Sequence, residues 1–169
     1  MWFSIPQHSK TLPLLENLLQ LYIHDLSAVF TIELGADGRY TYDKLPLYWI
    51  ETTRRFAFLI RYRGGVVGFV FVTRRSPASD DPEVFDVAEF FVRRRYRRSG
   101  VGREAAMLTW DRFPGRWIVR VSEGNVGALS FWRNVIAEYT AGEAGESTRS
   151  GSPNNWRVFT FESRSAIGN

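Results

Sequence analysis

The sequence predicts a single mixed α/β domain with a central, mostly antiparallel sheet, a parallel βαβ core and flanking helices. The chain has 169 residues, of which 44% are hydrophobic and 15% aromatic, enough for one packed core. Segments with the apolar spacing of helices are interspersed with β-rich runs, in the order helix, antiparallel hairpin, then strand, helix, strand, helix, strand. No repeat or linker divides the chain, so we expect one domain over residues 1–169.

The first predicted element is a helix. Residues 12–30 carry apolar side chains three and four positions apart, which is the pattern of a helix with one buried face. Thr11 is the expected N-cap, and Pro13 is compatible with a first helical turn. Residues 35–50 hold glycines and a proline among aromatic and acidic residues, and they predict a loop with a short helix near residues 47–53.

The next segment predicts three strands. The β-rich runs 55–62 and 66–73 are joined by Arg63-Gly64-Gly65, a sequence typical of the turn of an antiparallel hairpin. A polar turn follows at residues 76–82. Residues 83–92 then form the third strand, whose nearly continuous apolar character indicates a central position in the sheet.

The C-terminal half continues the alternation of helix and strand. A helix at residues 101–113 ends at Pro114-Gly115, a strand follows at 117–121, and an amphipathic helix covers 125–136. The remaining segment is expected to hold two β-like runs within residues 137–162, the second at 156–161, a polar loop at 144–155, and a frayed tail at 163–169.

The composition excludes several classes of site. Cysteine is absent, which rules out disulfides, thiolate nucleophiles and cysteine-based zinc sites and fits a reducing cytosol. With only His8 and His24 present, we expect no metal centre, and no G-x-S-x-G motif occurs. The N-terminus lacks a signal-peptide pattern, and the apolar run Val66–Val72 is far shorter than the ~18 residues of a membrane-spanning helix. We therefore expect a soluble, cytoplasmic protein without a membrane partner.

The basic residues are concentrated in one segment. Only Lys10 and Lys44 of the 22 basic residues are lysines, and the formal net charge is +4. Six arginines fall within residues 93–103. Such a cluster favours an anionic partner, which leaves a phosphorylated cofactor, nucleic acid and an anionic membrane surface as alternatives to a merely solvated face.

The same segment contains a glycine pair that opens a helix. The strand that includes Glu89 ends, an arginine-rich loop follows, and Gly100-Val101-Gly102 leads into the helix. Glycines let main-chain N–H groups approach a ligand, and a helix N-terminus adds unpaired donors and the positive end of a dipole. Together these features predict a cradle for a pyrophosphate, neutralised by the flanking guanidinium groups.

Two known glycine signatures fit this cradle poorly. The G-x-x-x-x-G-K-[ST] pattern is missing. The dinucleotide fingerprint G-x-G-x-x-A matches residues 100–105, and Glu123 stands where a ribose-binding acid is expected. However, eight positions separate Val92 from Gly100, and a hairpin precedes the strand. Only 67 residues follow Gly102, too few for two mononucleotide-binding halves.

A third signature matches better. Arg97-Arg-Ser-Gly100-Val-Gly102 fits [Q/R]-x-x-G-x-[G/A], and about two dozen residues later comes Asn125-Val-Gly-Ala128-Leu-Ser-Phe131-Trp132. The pair resembles the two core motifs of the GNAT superfamily of acyl-CoA-dependent N-acyltransferases, over roughly a third of the chain. The resemblance implies a splayed central sheet and an N-acetyltransferase. It also implies acetyl-CoA as cosubstrate, from which the acetyl group passes to a primary amine by direct attack in a ternary complex.

The resemblance also assigns binding residues. Main-chain groups of Phe91 and Val92 would pair with the pantetheine arm of acetyl-CoA, Asn125 would hydrogen-bond to the same region, and Phe131 would pack near it. The pyrophosphate would be held by the loop and first helical turn, which comprise Arg97, Arg98, Ser99, Gly100, Val101, Gly102 and Arg103.

One position departs from the family pattern. Trp132 stands in the cofactor site where many members carry a tyrosine that protonates the departing thiolate, and an indole N–H is not a usable acid. The alternatives left open are water, direct release of the thiolate, and the hydroxyl groups of Ser130, Tyr96 and Tyr139.

The reaction also needs a base, because an amine is mostly protonated at pH 7. Glu89 is the first candidate, since it lies three positions before Val92 on the strand that would line the acyl site. Asp86 is the second. Their separation of three positions predicts that they point to opposite faces of the strand, and either carboxylate could instead pair with an arginine. The N–H of Val92 is the expected oxyanion donor.

The donor motifs carry no information about the acceptor. One group of acidic and aromatic residues favours a small cationic amine as acceptor; it comprises Asp25, Asp43, Tyr40, Tyr48 and Trp49. His24 is more typical of a surface or packing residue. Homodimers are common in the superfamily, so the oligomeric state stays open.

Two other functions stay open from the sequence. Arg93–Arg98 with Tyr96 could bind nucleic acid, although no recognised motif accompanies them and the glycine pair would then have no role. The same fold without catalysis would be an acyl-CoA-binding sensor, which Trp132 leaves open.

Overall fold

The computed structural model describes residues 2–4 and 8–163. The seven strands form one sheet in the order β1-β2-β3-β4-β5-β7-β6. A single 3-10 turn, Arg94–Tyr96, follows β4. The elements in chain order are β1 (Trp2–Ser4), α1 (His8–Leu26), α2 (Leu47–Ile50), β2 (Arg55–Tyr62), β3 (Gly65–Arg74), β4 (Phe85–Val92), α3 (Val101–Arg112), β5 (Gly115–Ser122), α4 (Val126–Thr140), β6 (Gly145–Arg149) and β7 (Trp156–Ser163).

The predicted fold class is confirmed. Neighbouring strands are antiparallel throughout the sheet except for β4 and β5, which are parallel and connected through α3. This connection is the predicted βαβ unit. The predicted hairpin is β2-β3, and both Arg63 and Gly64 at its turn have positive φ (49° and 80°), as a two-residue type I′ turn requires.

The N-terminal boundaries differ from the prediction. α1 begins at His8, so Thr11 and Pro13 lie inside the helix, and it ends at Leu26. Pro13 removes only one intrahelical hydrogen bond, and the buried apolar face of the helix compensates for that loss. β1 pairs with the edge of β2 and was not predicted, because a three-residue strand is too short to show a period.

The C-terminal boundaries differ as well. α4 continues four residues beyond the predicted end, to Thr140. β6 lies within the segment predicted as a loop; all five of its residues are exposed, so they show no alternation of buried and exposed side chains. Ser163, placed in the predicted tail, is a buried residue of β7, and residues 164–169 lie outside the described part of the chain.

The helices cover both faces of the sheet. On one face α1 packs through Leu15 and Leu19 against Phe69 and Phe71 of β3. On the other face α3 and α4 pack against the strands, with Trp110 completely buried. The aromatic residues that are numerous in the sequence therefore supply the two hydrophobic layers that fix the sheet between its helices.

The sheet is splayed at its centre. β4 and β5 pair only at Phe85 with Trp117 and at Asp86 with Ile118. β4 stays paired with β3 as far as Val92, and β5 stays paired with β7 along its whole length. The two parallel strands therefore diverge towards their C-terminal ends, where α3 and α4 begin. Open α/β sheets bind ligands at this end of their strands.

β4 leaves no room for a side chain at Gly68 of β3, and this contact gives a first testable prediction. A Cβ atom at position 68 would lie 2.0 Å from the main-chain oxygen of Phe91. We expect Gly68→Ala to lower the free energy of unfolding by about 1–3 kcal/mol through overpacking, measured by urea denaturation. Gly65→Ala is the matched control, because its nearest neighbour would lie 3.8 Å away. Equal losses for the two variants would contradict the close approach.

Candidate active site

A cleft of about 730 Å³ lies where β4 and β5 diverge, and we call it the main cleft. Its walls come from α1, the end of β4, the loop before α3, and the first turns of α3 and α4. The volume lies within the range of ligand-binding pockets. The cleft brings together most of the predicted binding residues, which are Phe91, Val92, Arg97, Arg98, Gly100, Gly102, Arg103, Asn125, Phe131 and Trp132.

The N-terminus of α3 presents unpaired N–H groups to the main cleft. Gly100 is the N-cap residue, its φ is 84°, and no side chain caps the helix. The first amide of this turn that donates backward is that of Glu104, to the Gly100 oxygen at 3.0 Å. The amides of Val101, Gly102 and Arg103 precede it and have no intrahelical acceptor. This arrangement can bind an anion such as a pyrophosphate.

The arginines around this turn are only partly available to a ligand. Arg94 and Arg97 form ion pairs with Asp25 of α1, and Arg103 pairs with Glu138 of α4. Burial disfavours the Asp25 carboxylate, but the bonds from Arg97 and Arg94 outweigh that effect and lower the pKa of Asp25. Arg98 lines the cleft with its backbone at a φ of 59°. The ion pairs thus tie the arginine-rich loop to α1 and the first turn of α3 to α4.

Ser99 has a structural contact instead of a place in the cleft wall. Its hydroxyl donates to the main-chain oxygen of Tyr96 at 2.7 Å, and it is exposed. The bond closes the turn that carries the chain from β4 to Gly100.

The edge of β4 that faces β5 is open beyond Asp86. Arg93 donates to the Val67 oxygen of β3, and Phe91 lies opposite Phe69 in the same register. Because hydrogen-bonded pairs alternate along an antiparallel ladder, the main-chain groups of Phe91 face β3 and those of Phe90 and Val92 face the cleft. The register therefore favours Phe90 and Val92, instead of the predicted pair Phe91 and Val92, for main-chain contacts with a ligand.

Val92 already has one main-chain partner on the cleft side. Its oxygen accepts a hydrogen bond from Arg97 Nε at 2.7 Å. This bond connects the end of β4 to the loop that follows it. The N–H of Val92 points to the same side of the strand, as an oxyanion donor must.

The three predicted residues of α4 have distinct environments. Asn125 caps the helix, because its Oδ1 accepts from the Ala128 amide at 3.2 Å, which leaves its side-chain NH2 group to donate to a ligand. Phe131 packs against Gly102, where an added Cβ would lie 3.3 Å from the ring. Trp132 is 7% exposed and packs edge-on against Phe90 at 4.9 Å between ring centroids. The indole of Trp132 therefore forms part of the hydrophobic floor of the cleft.

Glu89 lines a second pocket and bonds to Tyr22, a residue of the main cleft. Its Oε2 accepts a hydrogen bond from the Tyr22 hydroxyl at 2.6 Å, and its Oε1 accepts one from Tyr42 at 3.1 Å. Burial raises the pKa of Glu89 above its ordinary value, and the bonds from the two tyrosines oppose the rise without cancelling it. A carboxylate with a raised pKa is a better proton acceptor near neutral pH.

Asp86 and Glu89 lie on the same face of the sheet, so the expectation of opposite faces is wrong. Phe71 pairs with Glu89 and Val72 pairs with Val87, which leaves Ala88 as an extra residue in β4. Such a β-bulge breaks the alternation of side chains. The bulge turns Glu89 towards α1, where Tyr22 is located.

Asp86 is the centre of a buried ion pair. It is 0% exposed and accepts from Arg120 through both oxygens, at 2.9 Å and 3.0 Å, while Ser76 donates a further hydrogen bond. All of its strong acceptor positions face partners within the protein. The structure thus places Asp86 in a structural role, the alternative that the sequence left open for it.

The second pocket, which we call the side pocket, has a volume of about 350 Å³. It lies next to the bulge and is lined by Ala88, Glu89, Tyr42, Tyr48 and Arg120, together with basic residues from the loops around β2 and β3. Tyr22 lines the main cleft, and its hydroxyl bonds to Glu89 of the side pocket. This hydrogen bond links a wall residue of the main cleft to a wall residue of the side pocket.

The predicted hydroxyl donors are not in either cavity. Tyr139 donates to Asp111 at 2.7 Å, Ser130 is exposed, and Tyr96 packs against the ring of Tyr62. Tyr22 is the tyrosine that lines the main cleft, and no pattern in the sequence predicted a role for it. The sequence shows only that Tyr22 lies on an amphipathic helix, where an aromatic residue is most often part of the core.

The predicted acceptor group is not brought together. Asp25 lies in the main cleft with its two arginines, whereas Tyr48 lines the side pocket and Asp43 is exposed. Tyr40 bonds to Nδ1 of His24, at the exposed surface of α1. The described residues thus offer no shared carboxylate cluster for a cationic group.

Two further features concern the residues that the structure describes. Within residues 2–4 and 8–163, no group of three or more metal-ligating side chains gathers at one point. The described helices include none with the length and apolar character needed to cross a bilayer.

Comparisons with known proteins agree with this geometry. The acetyltransferase from Thermus thermophilus shares 16% identity with the chain, with coverage of 96% of this chain and 97% of that one and a TM-score of 0.62. The ribosomal-protein-alanine N-acetyltransferase from Brucella melitensis gives 14% identity, 96% and 99% coverage, and a TM-score of 0.62. At sequence identities this low, these structural matches show a shared fold and no more.

A third structure contains bound ligands. The spermidine N-acetyltransferase from Vibrio cholerae, in complex with CoA and spermine, gives 11% identity, 95% and 94% coverage, and a TM-score of 0.66. No curated protein sequence matches the chain. The family model of the acetyltransferase (GNAT) family matches residues 15–135, most of the chain, and this range includes all the residues that line the main cleft. The chain therefore belongs to the GNAT acetyltransferase family.

Proposed function

We propose that this protein transfers the acetyl group of acetyl-CoA to a primary amine by direct attack in a ternary complex. The divergence of β4 and β5 is the observation that carries the proposal. It opens the main cleft beside a free strand edge and ends at the unpaired amides of α3. A pantetheine arm can pair with such an edge, and a pyrophosphate can bind at such a helix terminus.

In the proposed reaction the amine nitrogen attacks the thioester carbon. A C–N bond forms, and the carbonyl electrons move to the oxygen, where the N–H of Val92 stabilises the charge. Collapse of this intermediate breaks the C–S bond and expels the CoA thiolate. An acceptor that enters as an ammonium ion loses two protons from its nitrogen. The first is released to solvent before attack, and the second, lost after the C–N bond has formed, reaches the thiolate. The products are the acetamide, the free thiol and one proton.

Glu89 is the group that takes the proton from the amine. It lines the side pocket and bonds to Tyr22 of the main cleft, its pKa is raised by burial, and its two tyrosine partners hold the carboxylate in one orientation. An amine in the side pocket would meet Glu89 before it reaches the thioester in the main cleft. The acceptor would thus be deprotonated at the point of entry.

Tyr22 supplies the proton that the missing family tyrosine would have supplied. Burial and the neighbouring Glu89 carboxylate raise the pKa of Tyr22 well above its usual value, so the tyrosine is a poor acid while Glu89 is ionised. After the first proton has passed to solvent, Glu89 accepts the second proton, which the nitrogen loses after attack. The carboxyl can then pass a proton to Tyr22 as Tyr22 donates its own to the thiolate. The hydrogen bond between them at 2.6 Å provides this path.

A second prediction tests the relay. We expect Tyr22→Phe to lower kcat by about 10²-fold, the lower end of the effect of a general acid, while the KM for acetyl-CoA stays near the wild-type value. The loss of a hydrogen bond to the carboxylate should also move the acidic limb of the pH profile of kcat to higher pH, because the pKa of Glu89 rises.

Tyr42→Phe is the matched control for Tyr22→Phe. It removes the other hydroxyl that bonds to Glu89, but Tyr42 lies in the side pocket and does not line the main cleft. We expect the same direction of pH shift with little loss of the maximal kcat. If Tyr22→Phe keeps the maximal rate of the wild type, Tyr22 is not the proton donor.

The proposed function is tested by binding and turnover together. Acetyl-CoA should raise the melting temperature of the protein, and an amine library should release the CoA thiol. Binding without thiol release would indicate an acyl-CoA sensor. Stabilisation by nucleic acid and not by acetyl-CoA would indicate a nucleic-acid module, which the ion pairs of Arg94, Arg97 and Arg103 with carboxylates do not favour.

A further inference from the structure

The side pocket is strongly basic. Its lining includes only two carboxylates, Glu51 and Glu89. The basic residues that line it outnumber them three to one, and they are Lys44, Arg54, Arg55, Arg74, Arg75 and Arg120. This excess of positive charge stands directly beside the carboxylate that we propose as the base.

Three of these basic residues are paired within the protein. Arg55 bonds to Glu51 at 2.7 Å, Arg74 bonds to Glu83 at 3.1 Å, and Arg120 bonds to Asp86. Arg74 has one donor that this pairing does not use. Its Nε is buried and has no hydrogen-bond partner among the described residues. A buried donor of this kind is costly unless a ligand or water accepts from it.

The other three basic residues that line the pocket, Lys44, Arg54 and Arg75, are exposed, and we call them its rim. In the described part of the chain no carboxylate forms an ion pair with any of them. Positive charge without internal partners at the rim of a concave site attracts anions and repels cations. The rim therefore selects by the charge of the molecule that enters.

Arg75 is held at this rim by an unusual backbone conformation. Its φ is 81°, a region that bulky residues rarely adopt. The amide of Arg75 donates to Val84 at 2.8 Å, and its oxygen accepts from Thr73 at 3.1 Å, so the conformation is fixed on both sides. Glycine would adopt it without strain. An arginine at this position is consistent with a function for its charge.

We propose that the acceptor is an amine that also carries an anionic group, a carboxylate or a phosphate. The amine would lie at Glu89, and the anionic group would lie at the rim formed by Lys44, Arg54 and Arg75. The inference rests on the proposed function. The volume of the side pocket, about 350 Å³, suits a molecule of amino-acid size. A polycation, by contrast, would meet three unpaired positive charges before it reached Glu89.

The experiment uses pairs of acceptors that differ in one charge. Glycine, phenylalanine and glutamate are each compared with their α-carboxamides, and O-phosphoethanolamine is compared with ethanolamine, in the thiol-release assay with acetyl-CoA. We expect kcat/KM to be about 10–100-fold higher for the anionic member of the preferred pair, as charge-assisted hydrogen bonds imply. The amino-acid pairs and the phosphate pair distinguish the two sources of the anion.

Variants of the rim test where the preference originates. We expect Arg54→Gln with Lys44→Gln to raise the KM for the anionic acceptor about 10-fold or more and to leave the KM for its neutral partner unchanged. Arg75→Gly removes the charge and keeps the backbone conformation, so it should fold like the wild type and show the same selective loss. Arg39→Gln is the matched control, because Arg39 is exposed and lines neither cavity.

A binding measurement separates this inference from the proposed function. Protein loaded with CoA is titrated by calorimetry with N-acetylphenylalanine and with its carboxamide. One outcome is that N-acetylphenylalanine binds, that the rim variants weaken this binding, and that no amine is turned over. This outcome would overturn the proposed function and support the anion site. Turnover that favours neutral or cationic amines would overturn the anion site alone. Neither binding nor turnover would overturn both.

Discussion

Replacement of Glu89 with glutamine is expected to lower kcat by about 10²–10⁴-fold, the usual contribution of a general base. The change removes the proton acceptor and keeps the shape of the side chain that lines the side pocket. Because Glu89 lines the side pocket and not the main cleft, the Kd for acetyl-CoA should stay at the wild-type value. Steady-state kinetics and calorimetry on the same preparation measure the two quantities.

The pH dependence of kcat in the wild-type protein tests the same role of Glu89. kcat should fall as the pH drops, because protonated Glu89 cannot accept a proton. Since burial raises its pKa, this limb should lie above the ordinary pKa of a glutamate. In Glu89→Gln the limb should be absent.

Stability provides the control for Glu89→Gln. The folded protein holds the Glu89 proton more tightly than the unfolded chain does, so this group stabilises the fold at low pH, and its contribution is lost as the pH rises through the folded pKa. Glutamine carries no buried charge, so the variant should melt no lower than the wild type at neutral pH. A stable variant with full turnover would remove Glu89 from the mechanism.

Removal of the Asp86 carboxylate is expected to have the largest effect on stability. Asp86→Ala leaves the guanidinium of Arg120 without its partner in a mostly buried site, and breaking a buried ion pair in this way costs about 3–5 kcal/mol. That loss is a large part of the total stability of a domain of this size. Urea denaturation of the variant and of the wild type measures it.

Two comparisons identify the cause of the Asp86 effect. Glu83→Ala breaks the exposed pair with Arg74, with side-chain exposures of 39% and 66%, and should cost less than about 1 kcal/mol. Replacement of both Asp86 and Arg120 by apolar residues should recover much of the loss, because no unpaired charge remains. If Asp86→Ala is as stable as Glu83→Ala, the buried pair is not a structural element.

The sequence was most informative where local chemistry determines the structure. The Arg63-Gly64 turn and the start of α3 directly after Gly100 depend on residues close together in the chain, and the structure places both as expected. The apolar run of β4 indicated its central place in the sheet. The family motifs fall on the same local features, which is why they could be recognised without a structure.

The sequence was least informative where distant segments meet. The bulge at Ala88 depends on how β4 pairs with β3, so the common face of Asp86 and Glu89 could not be predicted from their spacing. The contact between Tyr22 and Glu89 joins residues 67 positions apart. The side pocket likewise gathers basic residues from separate segments of the chain. The prediction of a cationic acceptor rested instead on acidic and aromatic residues that are near one another in the sequence.

A crystal structure of the protein with CoA tests the central claim most directly. We expect the pyrophosphate oxygens to accept hydrogen bonds from the main-chain amides of Val101, Gly102 and Arg103, and the pantetheine arm to run along the open edge of β4 between Phe90 and Val92. If the nucleotide instead binds outside the gap between β4 and β5, the assignment of the donor site, and the chemistry derived from it, is contradicted.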